Sequence, residues 1–430
     1  MSRKMKDSGV EWIGEIPQHW EVRRVKDGFI RKKSEAHQEN PIVLSLARTG
    51  VKVRDLSKNE GQIAESYYNY NPVEPGDLLL NPMDLYSGAN CSIANVEGVI
   101  SPAYINLKAK KGYNPQFYDY YFKTQYWTMA MFAHGKGVSF DNRWTLGLDD
   151  LLNYNIPVPD KMEQDRISMY LENKCLCINK IIKKTYLSIN EYQKMKKVII
   201  TDLVTCGIEC YKSMTKKESV GKIPEGWKIV RLKFLMSDIV DCPHETPNYT
   251  SDGKYLVIRT ADQDYAKIRT DKNMYRLSEN EYNNRIRRMA LDKNDIVYGR
   301  EGERWGLACL VPKSNKYCLG QRMMQFRCKE KLIKPQFAVY ALSSMNVRRQ
   351  GEVDTLGSTS PHVNISTIRN YSILLPPLCE QEKIVNYLDE KCNKIDMLIE
   401  QKEKIITELE EYKRSLIYEH VTGKKEVPES

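Results

Sequence analysis

The sequence predicts an α+β protein in which one mixed domain is used twice, with a pair of long antiparallel coiled-coil helices between the copies. Three observations predict it. "GEIPQHWEVRRVKD" from Gly14 returns as "GKIPEGWKIVRLKF" from Gly221, with Gly, Ile, Pro, Trp, Arg and Lys at six shared positions. "NYNIPVPDKMEQDRISMYLENKCLCIN" from Asn153 returns as "NYSILLPPLCEQEKIVNYLDEKCNKID" from Asn370. Twelve of those 27 positions are identical, where chance gives about one or two. Each second segment then runs on into apolar residues at helical three-four spacing.

The order is therefore a Trp-containing arm, a divergent region and a matched helical segment, written twice. It divides the chain as 1–159, 160–206, 207–376, 377–422 and a tail at 423–430. Within the divergent regions, roughly 28–152 and 235–369, "PIVLSLA" at Pro41, "GDLLLN" at Gly76, "YLVIRTA" at Tyr255 and "DIVYGR" at Asp295 read as strands. "PQFYDYYFKTQYW" at Pro115 and "PQFAVYALSSMN" at Pro335 read as helices opened by proline.

The first long helix is expected from Glu163 to about Leu203, a rod of roughly 60 Å. Asp160 followed by Glu163 fits a capping box, and Pro376 with Pro377 marks the second start. A heptad reading puts Leu171, Lys174, Ile178, Ile181, Thr185, Ser188, Tyr192, Met195 and Ile199 on one seam. In the second copy it takes Leu388, Lys391, Ile395, Leu398, Lys402, Ile405, Leu409, Tyr412 and Leu416. A narrow seam of this period marks helices that pair with one another. The competing arrangement, each helix lying on its own domain, sits poorly with forty-residue helices.

Composition bounds the class. At 430 residues the chain holds two ordinary domains, and 41% hydrophobic with 28% charged residues reads as soluble and globular. No run of eighteen apolar residues suggests a membrane span, and "MSRKMKDSGVEW" lacks the apolar core of a signal peptide. Eleven scattered cysteines do not frame a disulfide scaffold, so a reducing, cytoplasmic setting is expected. The net charge of +10 and 27 tyrosines against eight phenylalanines agree with a polyanion partner without requiring one.

Catalytic motifs are mostly missing. "NPMDLY" at Asn81 lacks the second proline of the N-P-P-aromatic motif of amino-methylating enzymes and has no glycine-rich cofactor loop beside it. Asp160, Glu172 and Lys174 match a nuclease spacing, but a cap and a helix face do not converge on a metal. Neither a G-x-x-x-x-G-K-[ST] nor a G-x-G-x-x-G loop is present. "CLC" at Cys175 and "CGIEC" at Cys206 lack a second pair at zinc spacing, so no metal site is expected.

What remains are glycine-flanked loops of DNA-reading composition. In the first half they offer Arg48, Thr49, Asn81, Tyr86, Asn90, Lys136, Ser139, Asn142 and Arg143. In the second they offer Arg300, Glu301, Arg304, Gln321, Arg322, Ser358, Thr359, Ser360 and His362, with Gln325 nearby. Arg and Lys suit guanine edges, Asn and Gln adenine edges, and hydroxyls phosphates. Each taken alone also fits a solvated turn.

The set as a whole resembles the specificity subunit of type I restriction-modification systems. The resemblance rests on "DSGVEWIGEIPQHW", "ESVGKIPEGW" at Glu218, "PVPDKMEQDRISMYLENK", "PPLCEQEKIVNYLDEK" and the helix endings "LVTCG" and "HVTGK". It covers nearly the whole chain, although the second arm has no equivalent of Glu11 and Trp12, and "PVPDKMEQ" stands where the second copy has "PPLCEQ". The resemblance implies two target-recognition domains, each reading one half of a split, asymmetric double-stranded DNA sequence. The helices would set the spacer and dock two DNA methyltransferase subunits, and restriction and translocase subunits would join through the complex. It implies no cofactor on this chain, with S-adenosylmethionine, ATP and Mg on partner subunits. Two other classes stay open on the residues alone: a stand-alone DNA methyltransferase or nuclease with degenerate motifs, and a coiled-coil adaptor binding proteins only.

Overall fold

The computed structural model describes residues 3–47, 49–58, 64–83, 85, 91–137, 144–208, 214–217, 221–264, 266–269, 274–355 and 361–428. The chain divides into two compact units, Met1–Thr185 with Lys404–Ser430, and Tyr186–Glu403. The division passes through both long helices, Lys161–Cys206 and Leu378–Val421, so each unit holds half of each. With 46 and 44 residues they are about 69 and 66 Å long, somewhat more than the periodicity alone marked out.

The first unit is built on an antiparallel four-stranded sheet ordered Phe29–Lys32, Ile105–Ala109, Leu78–Leu80, Cys91–Ile93. The second repeats that order with Met236–Asp241, Met323–Cys328, Ile296–Gly299 and Ala308–Leu310. Against these sheets lie the proline-opened helices Pro115–Trp127 and Pro335–Ser343. The divergent middles thus share a core, and they differ in what is added to it. The first unit adds the hairpin Leu44–Ala47 with Gly50–Val53. A parallel pairing occurs in both, through a bridge of Val43 to Val99 in the first unit and of Tyr255–Ile258 to Tyr317–Leu319 in the second, and the second adds Arg276–Leu277 antiparallel to Tyr255–Ile258.

The repeated residues are those that fasten each unit to the start of its long helix. Asp160 caps the first helix by accepting from the Glu163 amide at 2.8 Å. The capping box expected there is only half made, because the Glu163 carboxylate turns to Trp20 Nε1 (2.8 Å), His19 (2.9 Å) and Arg3 instead of returning to the cap. Trp227 Nε1 donates to Glu380 at 3.1 Å in the other copy. The neighbouring glutamines are fully buried and do identical work. Gln164 accepts from the Asn114 amide and donates to the carbonyls of Gly112 and Pro159. Gln381 accepts from the Lys334 amide and donates to those of Leu332 and Pro376. Each glutamine thereby holds the first residue before a proline-opened helix, which accounts for the repeated "EQ" and "PQF".

The glycine that follows each long helix completes the clamp. Gly423 has φ +73°, and a Cβ there would lie 2.3 Å from Pro17 and 3.1 Å from Trp20. Gly207 has φ +77°, with Glu380 at 3.1 Å and Trp227 at 3.3 Å. Only glycine fits a left-handed residue packed this closely on an indole.

Within each unit the two half-helices run antiparallel. In the first, Tyr170 meets His420 and Lys413 Nζ donates to Asn179 at 2.9 Å. In the second, Lys402 lies over Tyr192 and Lys196 pairs with Asp396 at 2.6 Å. These last contacts are repeat equivalents: Lys196 corresponds to Lys413, and Asp396 to Asn179.

The seam differs from the heptad reading in one respect, and in the same sense in both copies. Leu171, Ile178, Leu388, Ile395 and Leu416 are buried, and Tyr192, Ile199 and Leu409 half-buried. The positions between them are instead Cys175, Ile182, Ile189, Lys196 and Leu203, and Cys392, Ile406 and His420, all buried. The expected Ile181, Met195, Leu398, Ile405 and Tyr412 are exposed, from 39 to 56%. They form a second apolar stripe one residue away from the seam. A 3.5-residue period gives the spacing of a stripe but not which of two adjacent stripes is covered.

Candidate nucleic-acid interface

Of the eighteen loop residues singled out by composition, Arg48, Tyr86, Asn90, Ser139, Asn142, Arg143, Ser358, Thr359 and Ser360 lie outside the described residues. The others separate into solvent-facing groups and fold-holding ones.

In the first unit Thr49 is exposed at the turn of the Leu44–Val53 hairpin. Lys136 is 80% exposed and its Nζ lies 3.4 Å from Asp150. Asn81 is a correction. It is buried, its Oδ1 accepts from the Met83 amide at 2.9 Å, and its carbonyl accepts from the Tyr126 hydroxyl. It shapes a turn.

The second unit brings its candidates together. Arg300 follows the central strand Ile296–Gly299 and is 3% exposed, so it too is corrected from base reader to internal post. Its Nε and Nη2 donate to Asp241 at 3.0 and 3.3 Å, and Nη2 also meets Glu301 at 3.0 Å. His362 is half-exposed and bridges the same groups: its Nδ1 lies 3.0 Å from Glu301, and its Nε2 accepts from Arg300 Nη1 at 3.1 Å. That pairing places the ring proton on Nδ1. A backbone bridge between Glu301 and His362 ties the two segments together.

Around this post lie further polar groups, some exposed and some half-buried. Gln321 donates to the His244 carbonyl at 2.9 Å and to Thr246 Oγ1 at 3.0 Å. His244 is 63% exposed and 3.1 Å from Asp241. Arg322 is 56% exposed, 3.9 Å from Glu301. Arg304 donates to the Ala261 carbonyl at 3.4 Å. Gln325 is buried and donates to Asp295, so it belongs to the sheet.

Composition missed the neighbouring aromatic group. Tyr249 and Tyr275 are each over 40% exposed with ring centroids 4.4 Å apart. The Arg259 guanidinium sits 3.8 Å above Tyr275 and is held in place by two 2.9 Å bonds to Asp262. Gly320, next to Gln321, packs directly on Arg259, so this platform adjoins the charged group. An arginine closing a strand with an aspartate three residues on was the available signal. Exposed aromatics beside fixed cations suit stacking on bases or lying along a phosphate backbone.

Among the described residues the nuclease-like spacing does not converge. Asp160 is engaged at its cap, and Glu172 and Lys174 lie along a helix. Among the described residues no group of three His, Cys, Asp or Glu is arranged to hold a metal. No described helix is long and apolar enough to cross a membrane.

Comparison with known proteins gives a consistent result. Residues 224–411 match the family model described as the type I restriction modification DNA specificity domain. The chain is 25% identical over 426 residues to the MjaVIII type I restriction enzyme specificity subunit of Methanocaldococcus jannaschii, covering 95% of this chain and 93% of that one. It is 24% identical over 433 residues to the putative MjaX specificity subunit of the same organism, covering 96% and 95%. A solved chain described under the complex assembly and conformational transition of the type I R-M system shares the fold. It has a TM-score of 0.67 at 16% identity, covering 95% of this chain and 99% of that one.

Proposed function

We propose that the chain is a specificity subunit of a type I restriction-modification system and reads a bipartite, asymmetric double-stranded DNA target with one unit for each half-site, a reading supported by the family match over residues 224–411 and by its full-length relatives. The duplication carries this reading. Equivalent clamps at Trp20–Glu163 and Trp227–Glu380 hold two units whose sheets share a core and whose added strands differ. One mounting with two unlike faces suits two unlike half-sites, and the length of the paired helices would fix the unread spacer between them.

Methylation and cleavage are assigned to partner chains, with S-adenosylmethionine, ATP and Mg bound there. Two DNA methyltransferase subunits would cover the second apolar stripe, since Ile181, Met195, Leu398, Ile405 and Tyr412 are too many exposed apolar residues for a helix pair that ends its partnerships within the chain. Restriction and translocase subunits would join through them, in the cytoplasm where such systems meet DNA.

The test is the modified motif. In cells carrying this chain with its modification subunits, genomic DNA should be methylated at one split, asymmetric sequence. Methylation indifferent to sequence would overturn the proposal. Binding of that duplex by the assembled complex should also fall steeply with salt, as phosphate contacts require.

A further inference from the structure

The guanidinium groups around the exposed face of the second unit differ in what already holds them. Arg259 is fixed to Asp262, and Arg300 is buried against Asp241 and Glu301. Arg285 is buried and donates to the carbonyls of Pro243, Glu245 and Leu319. Arg322 combines high exposure with a loose partner. Among the described residues the carboxylate within 4 Å of it is Glu301, at 3.9 Å, and Glu301 is already held at 3.0 Å by both Arg300 and His362.

Its backbone sets it apart as well. Arg322 has φ +68°, a conformation that residues other than glycine, asparagine and aspartate seldom take. The surroundings enforce it. The Arg322 carbonyl accepts from the Arg300 amide at 3.0 Å, Gln321 before it is anchored on His244 and Thr246, and the strand Met323–Cys328 begins directly after. Strain kept in place by over-determined neighbours is a feature of sites that must present a group in one direction.

We propose that Arg322 reads a guanine in the half-site contacted by the second unit, donating two parallel hydrogen bonds to O6 and N7. This rests on the DNA-reading function proposed above and adds the base and the residue. A planar fork with no close carboxylate among the described residues matches the guanine major-groove edge, the commonest specific contact arginine makes. Leaving an exposed carboxylate at this distance costs little.

The experiment maps the methylated motif in cells carrying the chain and its modification subunits, for wild type, Arg322→Gly and Arg322→Asn. Both replacements are at home at positive φ, so the backbone is kept. The expected result is that one G·C pair in one half-site becomes degenerate, its preference falling about tenfold to a hundredfold, while the other half-site is unchanged. An unchanged motif, a uniform fall in methylation at every site, or relaxation at an A·T pair overturns the assignment. So does loss of all modification in both variants. If only the glycine variant loses activity, the asparagine variant must still lose the guanine, and its retention overturns the proposal. A wild-type system that marks no split motif removes the DNA-reading function itself, an outcome distinct from any failure of Arg322.

Discussion

Trp20 and Glu163, 143 residues apart, are joined by an indole N–H donated to a buried carboxylate at 2.8 Å. The carboxylate also takes His19 and Arg3, and Arg3 reaches Glu426 beyond the second long helix. One side chain therefore gathers the arm, the helix start and the tail of the first unit. Trp20→Phe removes the donor and puts a smaller ring in a fully buried site. Its expected cost is about 3–4 kcal/mol in chemical denaturation, combining a bond to a charged acceptor with the cavity left by the lost ring. Glu163→Gln should cost about 3 kcal/mol, because Arg3 is left in a mostly buried place without its anion.

Acid should loosen the same region in two steps. Burial works against charge on Glu163, but hydrogen bonds from His19, Arg3 and Trp20, with the charge of Arg3, outweigh it and hold its pKa below the usual 4.5. Its stabilisation is complete above pH 4.5 and is lost as pH falls through the lowered folded value. Burial of His420 against Tyr170 keeps that ring neutral and its pKa below 6.5. Stability is then expected to start falling below pH 6.5 as the unfolded chain takes up the proton first. Denaturation between pH 7 and pH 3 measures both steps, and Glu163→Gln should remove the lower one while His420→Gln removes the upper.

The fastening of the fold was legible because it is made by side chains with one geometric job. A tryptophan, a glutamate, a glutamine and a glycine recur since each donates, accepts or gives way at a fixed place. The seam was legible in period and not in phase. Ile181, Leu398 and Ile405 are as apolar as Ile182 and Ile406, and the covered positions include Lys196 and His420, whose Nζ and Nδ1 find partners along the helix pair. The candidate site was less legible still. Arg300 stands beside glycines in a run that reads as a loop, yet it follows the central strand of a sheet and is buried with its counter-ions. Arg259, Tyr249 and Tyr275 are brought together from separate segments, and sequence spacing carries no trace of that meeting.

The two stripes on the long helices should respond oppositely to substitution. Ile395→Ala on the buried seam is expected to destabilise the isolated chain by about 2–4 kcal/mol. Leu398→Asp, three residues away on the exposed stripe, should leave that stability within about 0.5 kcal/mol and weaken assembly with the modification subunits. Denaturation of the free chain and size-exclusion of the mixture separate the two effects.

The repeat also predicts how the buried lysine tolerates its partner. Asp396→Ala strands Lys196, which is 7% exposed, and should cost about 3 kcal/mol. Asp396→Asn should cost clearly less, because the other unit holds the equivalent Lys413 with Asn179. Equal losses in the two variants, measured by urea denaturation, would count against the equivalence.

The central claim is that two units on identical mountings read DNA independently. It is tested most directly by replacing residues 235–369 with the corresponding region of another family member and sequencing the methylated sites of cells that carry the exchanged chain with its modification subunits. The account predicts a motif in which one half-site is new and the other half-site and the spacer are retained. A motif altered in both halves, or in neither, would contradict it.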